Sequence, residues 1–171
     1  PSINTLIFIS NNKYIFMFEY PHFGRIEQVT PNPSILLGND IFWTEKLDGS
    51  NVGIYLKDGE PVVMDRNAIV ARFSESVKQV PVFDKIVKLL RHLKDNYNTD
   101  CIVFSEFMQK GSSPTGLKHY DCDSLIVFDI YNLTAGRFET WNNTCLFCGT
   151  FDIPVVKLLG FCRCHTLNEL Y

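Results

Sequence analysis

Apolar positions divide the chain into short extended runs and one long periodic stretch. Ile3–Ser10 and Lys13–Glu19 flank Asn11-Asn12 and predict a hairpin. Tyr20–Arg25 breaks that pattern, and Thr30-Pro31-Asn32-Pro33-Ser34 is turn-rich and poorly suited to a strand. Three strands are predicted next, over Ile41–Lys46, over Asn51–Lys57 and from Val62, with Lys57-Asp58-Gly59-Glu60 as the turn between the last two. Within Val82–Tyr97, Phe83, Ile86, Val87, Leu90 and Leu93 recur at helical spacing. Cys101–Phe104 reads as a buried strand ending in Ser105-Glu106-Phe107-Met108, and Gln109–Gly116 as a Gly/Ser/Pro/Thr loop. Ser124–Tyr131 is apolar nearly throughout, which predicts a strand buried on both faces. Phe138–Cys148 reads as a helix with Gly149 as its C-cap, and Ile153–Leu159 as a strand. Thr166–Tyr171 opens like a helix, with Thr166 and Glu169 as a capping box.

Composition narrows the class. The chain has 171 residues, 46% hydrophobic and 20% charged, which is a globular composition sufficient for one domain. A net charge of −3 argues against a surface wholly coated for nucleic acid and leaves room for a local basic face. Lys85, Lys88, Arg91, His92 and Lys94 make such a face on the long helix, either simply solvated or able to meet a nucleic-acid backbone. No apolar run approaches the ~20 residues of a membrane span. The N-terminus shows no signal-peptide pattern, so an intracellular, reducing setting is expected for Cys101, Cys122, Cys145, Cys148, Cys162 and Cys164. Cys145, Cys148, Cys162, Cys164 and His165 have a spacing that could serve zinc; packing of Cys145 and Cys148 one helical turn apart is the stronger reading. His22 has no acidic or nucleophilic residue spaced around it and reads as a loop histidine.

The chemistry concentrates in Thr44-Glu45-Lys46-Leu47-Asp48-Gly49-Ser50-Asn51, set between the apolar runs Ile41-Phe42-Trp43 and Val52-Gly53-Ile54-Tyr55-Leu56. One reading is a hairpin turn, for which Asp-Gly is a strong signal. The other is that Lys46 is a nucleophile presented beside a phosphate. An ordinary lysine is neutral in only about one copy in 2,500 at pH 7, so such a nucleophile needs desolvation or cationic neighbours to lose its proton.

Glu45-Lys46-x-Asp48-Gly49-Ser50-Asn51 resembles the nucleotidyl-acceptor motif of the ATP-dependent RNA ligases, in the covalent lysine nucleotidyltransferase superfamily. DNA ligases and mRNA-capping enzymes share K-x-D-G but usually continue with x-R, so Ser50-Asn51 favours the RNA ligase branch. The resemblance implies an α+β nucleotidyltransferase fold, unrelated to ATP-grasp, with antiparallel sheets flanked by helices, and one domain over residues 1–171. It implies ATP with Mg2+ or Mn2+, and an RNA substrate with 5′-phosphate and 3′-OH ends. Lys46 would attack the α-phosphorus of ATP. Glu45 and Asn51 would contact the nucleotide, and Asp48 would shape the turn or help position the lysine or a metal.

Further along, Arg66 resembles a phosphate-holding arginine, although it also reads as a surface arginine beside a turn. Glu106 resembles the acid that binds ribose hydroxyls, with Ser105 where the family usually has glycine, and Phe128 resembles the aromatic that stacks on adenine. A strand carrying a metal-holding acid and a later Lys-x-Lys pair belong to the family pattern and are not found in these residues. The chain therefore reads as the N-terminal part of an adenylyltransferase domain, weak or inactive on its own, with the metal-ligand motif expected beyond Tyr171. The alternatives are a DNA ligase or capping enzyme, and an inactive relative that only binds RNA or a protein.

Overall fold

A computed structural model describes residues 7–10, 13–16, 38, 40–65, 70–163 and 165–166. The chain divides into two compact units, one from Pro1–Tyr20 and Leu47–Val155, the other from Pro21–Lys46 and Val156–Tyr171. The predicted N-terminal hairpin is present: β1 (Ile7–Ser10) pairs antiparallel with β2 (Lys13–Phe16), Ser10 opposite Lys13. The Tyr20–Arg25 break, the Thr30–Ser34 turn, His22 and most of the C-terminal capping box lie outside the described residues.

In the smaller unit, β3 (Asp40–Thr44) pairs antiparallel with the last of the described strands, Leu158–Arg163. That strand starts later than the apolar run beginning at Ile153 suggests. Val155 makes only a parallel bridge with Val127, and Pro154 has no N–H to donate to a ladder.

The larger unit is built on an antiparallel sheet. β4 (Ser50–Lys57) and β5 (Glu60–Asp65) are joined at Asp58-Gly59, both with positive φ, as a hairpin of this hand requires. Pro61 sits near the start of β5, an edge strand, where a missing donor is tolerated. α1 (Ser74–Lys78) is a single turn, too short for periodicity to declare. It leads to α2 (Pro81–Tyr97), the predicted long helix, with Pro81 in its first turn and Asn98 closing it in the left-handed conformation.

β6 (Cys101–Met108) follows and ends with Ser105-Glu106-Phe107-Met108, as expected. β7 (Gly111–Ser112) and β8 (His119–Tyr120) turn the predicted loop into a short hairpin. β9 (Ser124–Asn132) and β10 (Arg137–Phe138) complete the sheet, in the order β10-β9-β6-β4-β5. α3 (Trp141–Thr150) begins later than Phe138, because Phe138 is held in β10 and Thr140 is the N-cap, its hydroxyl accepting the Asn143 N–H at 3.2 Å. Gly149 lies inside this helix, and Asp152 takes the left-handed position beyond it. β11 is the Leu158–Arg163 strand already paired with β3.

α2 covers one face of the sheet. Phe83, Ile86, Leu89, Leu90 and Leu93 meet Val52, Ile54, Val103, Leu125, Val127 and Ile130 in one continuous core. The opposite face carries a smaller cluster, with Met64, Ile102 and Phe104 buried and Tyr55, Phe128, Tyr131 and Phe138 packed around them. β9 is not buried on both faces as its composition predicts. Leu125, Val127 and Ile130 are buried, and Ile126, Phe128 and Asp129 only partly so. A bulge causes the odd spacing: Asp129 pairs with Phe104 and Val127 with Ser105, so Phe128 is the extra residue. Phe128 follows Val127 onto the opposite face by ordinary alternation, and the bulge resets the register so that Ile130 returns to the helix side.

Among the described residues no helix is long and apolar enough to cross a membrane. Cys101, Cys122, Cys145, Cys148 and Cys162 are free thiols. Burial pushes the Cys101 and Cys148 thiols up to about 12, which keeps them protonated and apolar, in line with a packing role for Cys148. No three His, Cys, Asp or Glu side chains among the described residues gather as a metal site.

Candidate active site

The Thr44–Asn51 segment is not a hairpin turn. β3 pairs with β11, while β4 pairs with β5 and β6. In the smaller unit, the Glu45 N–H donates to the Lys157 carbonyl at 2.9 Å, extending the β3–β11 pairing by one step. Lys46, the next residue, is exposed. In the larger unit, Asp48 and Gly49 lead into β4.

Three side chains from distant parts of the sequence fasten Asp48 and Gly49. The Gly49 N–H donates to Glu106 Oε1 at 2.8 Å. The Tyr120 hydroxyl donates to the Asp48 carbonyl at 3.0 Å. The Thr115 hydroxyl donates to Asp48 Oδ2. Hydrogen bonds from Ser113 and Thr115, with Lys118 nearby, hold the Asp48 carboxyl below the usual carboxylate range. Gly49 has to be glycine on packing grounds. A Cβ there would lie 2.5 Å from the Phe107 carbonyl oxygen and 2.9 Å from Glu106 Cγ.

Strand alternation then determines which candidates share a surface. Asn51 is opposite Glu106 and Gly53 is opposite Phe104, so Asn51, Gly53, Phe104 and Glu106 occupy one face of the sheet. This is the face away from α2. Phe128 lies on it too, its ring nearly parallel to Phe104, 18° between planes with centroids 6.4 Å apart. Gly53 leaves this surface without a side chain between Met64 and Phe104; a Cβ there would be 2.7 Å from Met64 Cε. The result is a patch with flat apolar rings beside an amide and a carboxylate. Ser105 points the other way and is fully buried on the helix side.

Asn51, Glu106 and Phe128 are thus brought to one face, with Asp48 at the entry to β4. Glu45 and Lys46 belong to the smaller unit. Arg66 lies outside the described residues. Ser113, Thr115 and Tyr120 were not legible as site residues. They stand 65 or more positions from Asp48, and the only local signal is the hydroxyl-rich composition of Ser112-Ser113-Pro114-Thr115.

Comparison with curated protein sequences returned no match. Several solved structures share the fold. A Naegleria gruberi RNA ligase with PPi superposes with a TM-score of 0.71 at 19% identity, over 90% of this chain and 46% of that one. A variant of the same ligase with ATP and Mn gives 0.64 at 21% identity, over 85% and 43%. An archaeal ATP-dependent RNA ligase gives 0.65 at 18% identity, over 90% and 40%. The chain therefore spans less than half the length of the solved ligases it matches, and its antiparallel sheets and flanking helices are those of the RNA ligase nucleotidyltransferase fold. The sequence profile of the RNA ligase family matches residues 39–170, most of the chain from β3 onward, and by that match the chain belongs to the RNA ligase family.

Proposed function

We propose that this chain carries the nucleotide-binding part of an ATP-dependent RNA ligase, with Lys46 as the covalent acceptor of AMP. The reading is supported above all by one observation: Asn51, Glu106 and Phe128 share the sheet face that the Asp48-Gly49 entry leads into. That face suits a purine nucleoside. Phe128 offers a ring for the base, and stacking of this kind is worth about 1–3 kcal/mol. Glu106 accepts from Gly49 through Oε1, and a carboxylate has capacity for further donors such as ribose hydroxyls. Asn51 and Glu45 contact the nucleotide, and Arg66 holds a phosphate with its forked, permanently charged guanidinium.

In the first step neutral Lys46 attacks the α-phosphorus of ATP; a phosphoramidate bond forms and pyrophosphate leaves. AMP then passes to an RNA 5′-phosphate, and a 3′-hydroxyl displaces it to seal the strands. Mg2+ or Mn2+ accompanying the phosphates would neutralise charge developing on them. The described residues do not assemble a protein-only metal cage. The residues of this chain contribute a nucleophile and a nucleotide face; the charged groups that would stabilise the developing phosphate charge belong to the family motifs not found among them, so these residues alone should transfer AMP weakly or not at all.

The test is intact-mass measurement of the complete protein with ATP and Mg2+. One AMP is gained, Lys46→Ala abolishes the gain, and persistence of the adduct in that variant removes the assignment. Competition between ATP and GTP, and between nicked RNA and nicked DNA, separates an RNA ligase from a capping enzyme or DNA ligase. No adduct at all identifies a relative that binds without catalysis.

A further inference from the structure

The β7–β8 hairpin is tied to Asp48 by hydroxyl groups that donate to two different acceptors of that residue. Thr115 holds the carboxylate and Tyr120 the main-chain carbonyl. An aspartate between strands can satisfy itself on its own backbone within two residues; here Thr115 and Tyr120 lie 67 and 72 positions away. The hairpin is itself well braced. The Ser113 N–H donates to the Lys118 carbonyl at 2.8 Å, the Lys118 N–H returns to Ser113 Oγ at 3.1 Å, and the Gly116 N–H donates to the Ser113 carbonyl at 2.8 Å. At its base the Lys110 N–H donates to Asp123 Oδ1 at 2.6 Å. Ser113 is buried although its neighbours are exposed. Such a loop can hold another segment still, which a slack surface connection cannot.

From the other side, Glu106 fixes the next N–H in the chain. The carboxylate and carbonyl of Asp48 and the amide of Gly49 are therefore all committed, by side chains from two separate elements. We propose that the β7–β8 hairpin is a positioning clamp for the motif that carries the nucleophile: through Thr115 and Tyr120 it holds the chain still at Asp48, two residues after Lys46 in the sequence. This rests on Lys46 being the AMP acceptor. Neither hydroxyl need touch ATP. Both act through Asp48, and both are positioning residues.

A clamp of this kind affects the chemical step more than the binding of nucleotide, because a misplacement of about 1 Å in an attacking group can lower a rate on the order of a hundredfold. The experiment is single-turnover transfer of labelled AMP to the complete protein, with ATP affinity measured separately, for wild type, Thr115→Val, Thr115→Ser and Tyr120→Phe. Thr115→Val and Tyr120→Phe should slow adduct formation by about tenfold or more, with ATP affinity within about twofold of wild type. Thr115→Ser, which keeps the hydroxyl, should restore the rate. Wild-type rates in Thr115→Val and Tyr120→Phe overturn the clamp and leave Lys46 as acceptor. Parallel losses of rate and affinity, or a Thr115→Ser variant as slow as Thr115→Val, also overturn it, since they mark a loop that merely supports the fold. Failure of wild type to form an adduct at Lys46 overturns the functional reading itself.

Discussion

Glu106 Oε1 accepts the Gly49 N–H at 2.8 Å, joining two residues 57 positions apart. The bond ties the middle of β6 to the entry of β4 and gives Glu106 a structural task beside any contact with nucleotide.

Removing that acceptor should loosen the entry to β4. A hydrogen bond to a charged group contributes roughly 1.5–3 kcal/mol net, less when partly exposed, so Glu106→Ala should lower unfolding stability by about 1–2 kcal/mol. Glu106→Gln retains an oxygen in place and should stay within about 0.5 kcal/mol of wild type. Denaturant titration of the three proteins decides it; equal losses in the two variants would mean that the Gly49 bond is not what Glu106 contributes.

Gly49 and Gly53 both lack room for a side chain, but differ in what would have to move. At Gly49 the obstacle is the Phe107 carbonyl at 2.5 Å, part of the β6 backbone. At Gly53 the closest atom is the Met64 methyl at 2.7 Å, the end of a flexible chain, with the Phe104 ring next at 3.0 Å. Overpacking typically costs about 1–3 kcal/mol. Gly49→Ala is therefore expected at or above the top of that range, with loss of AMP transfer, and Gly53→Ala near the bottom. Thermal melts showing Gly53→Ala to be the more damaging change would contradict this.

The sequence disclosed what local physics determines. Helical spacing from Phe83 to Leu93 marked α2 and Asp58-Gly59 marked a hairpin, while the nucleotidyltransferase reading came from the resemblance of the motif around Lys46 to a known family. What it hid depends on pairing between distant segments. Asp48-Gly49 has the local signature of a hairpin, yet β3 and β4 take different partners, and no short-range pattern encodes that choice. The Phe128 bulge is invisible in an apolar run, because inserting one residue changes which face a side chain takes without changing its composition. The hydroxyls on Asp48 come from what looks like an ordinary connecting loop.

Ser105 gives a stability prediction of unusual sign. It is fully buried among apolar side chains, and its hydroxyl has no hydrogen-bond partner among the described residues. An unsatisfied buried hydroxyl is unfavourable by roughly 1–3 kcal/mol, partly offset by the packing lost when it is removed. Ser105→Ala should be neutral or up to about 1 kcal/mol more stable, whereas Ser105→Gly should lose roughly 1 kcal/mol, as glycine within a strand usually does. Since Ser105 faces α2, neither change should alter ATP affinity. A clear destabilisation of Ser105→Ala would imply that the hydroxyl has a partner.

Asp129 should make stability depend on pH in a direction opposite to most carboxylates. Burial pushes its pKa from 3.8 up to about 7, the nearby Glu139 adds to this, and the Ile130 N–H that donates to Asp129 Oδ1 at 2.8 Å only partly opposes it. The folded protein therefore holds this proton more tightly than the unfolded chain. The associated stability is complete below about pH 4, declines as pH rises, and is gone once pH passes about 7. Each tenfold difference in proton affinity between the folded and unfolded chain corresponds to about 1.4 kcal/mol, and with Asp129 partly exposed an effect on the order of 2 kcal/mol is expected. Asp129→Asn keeps an oxygen for Ile130 and has no proton to lose. The variant should match wild type near pH 4 and exceed it by a margin that widens up to about pH 7 and then stays level. Denaturation of both proteins across that range measures the margin directly; one that stays constant or narrows with rising pH would show that Asp129 titrates as an ordinary surface carboxylate.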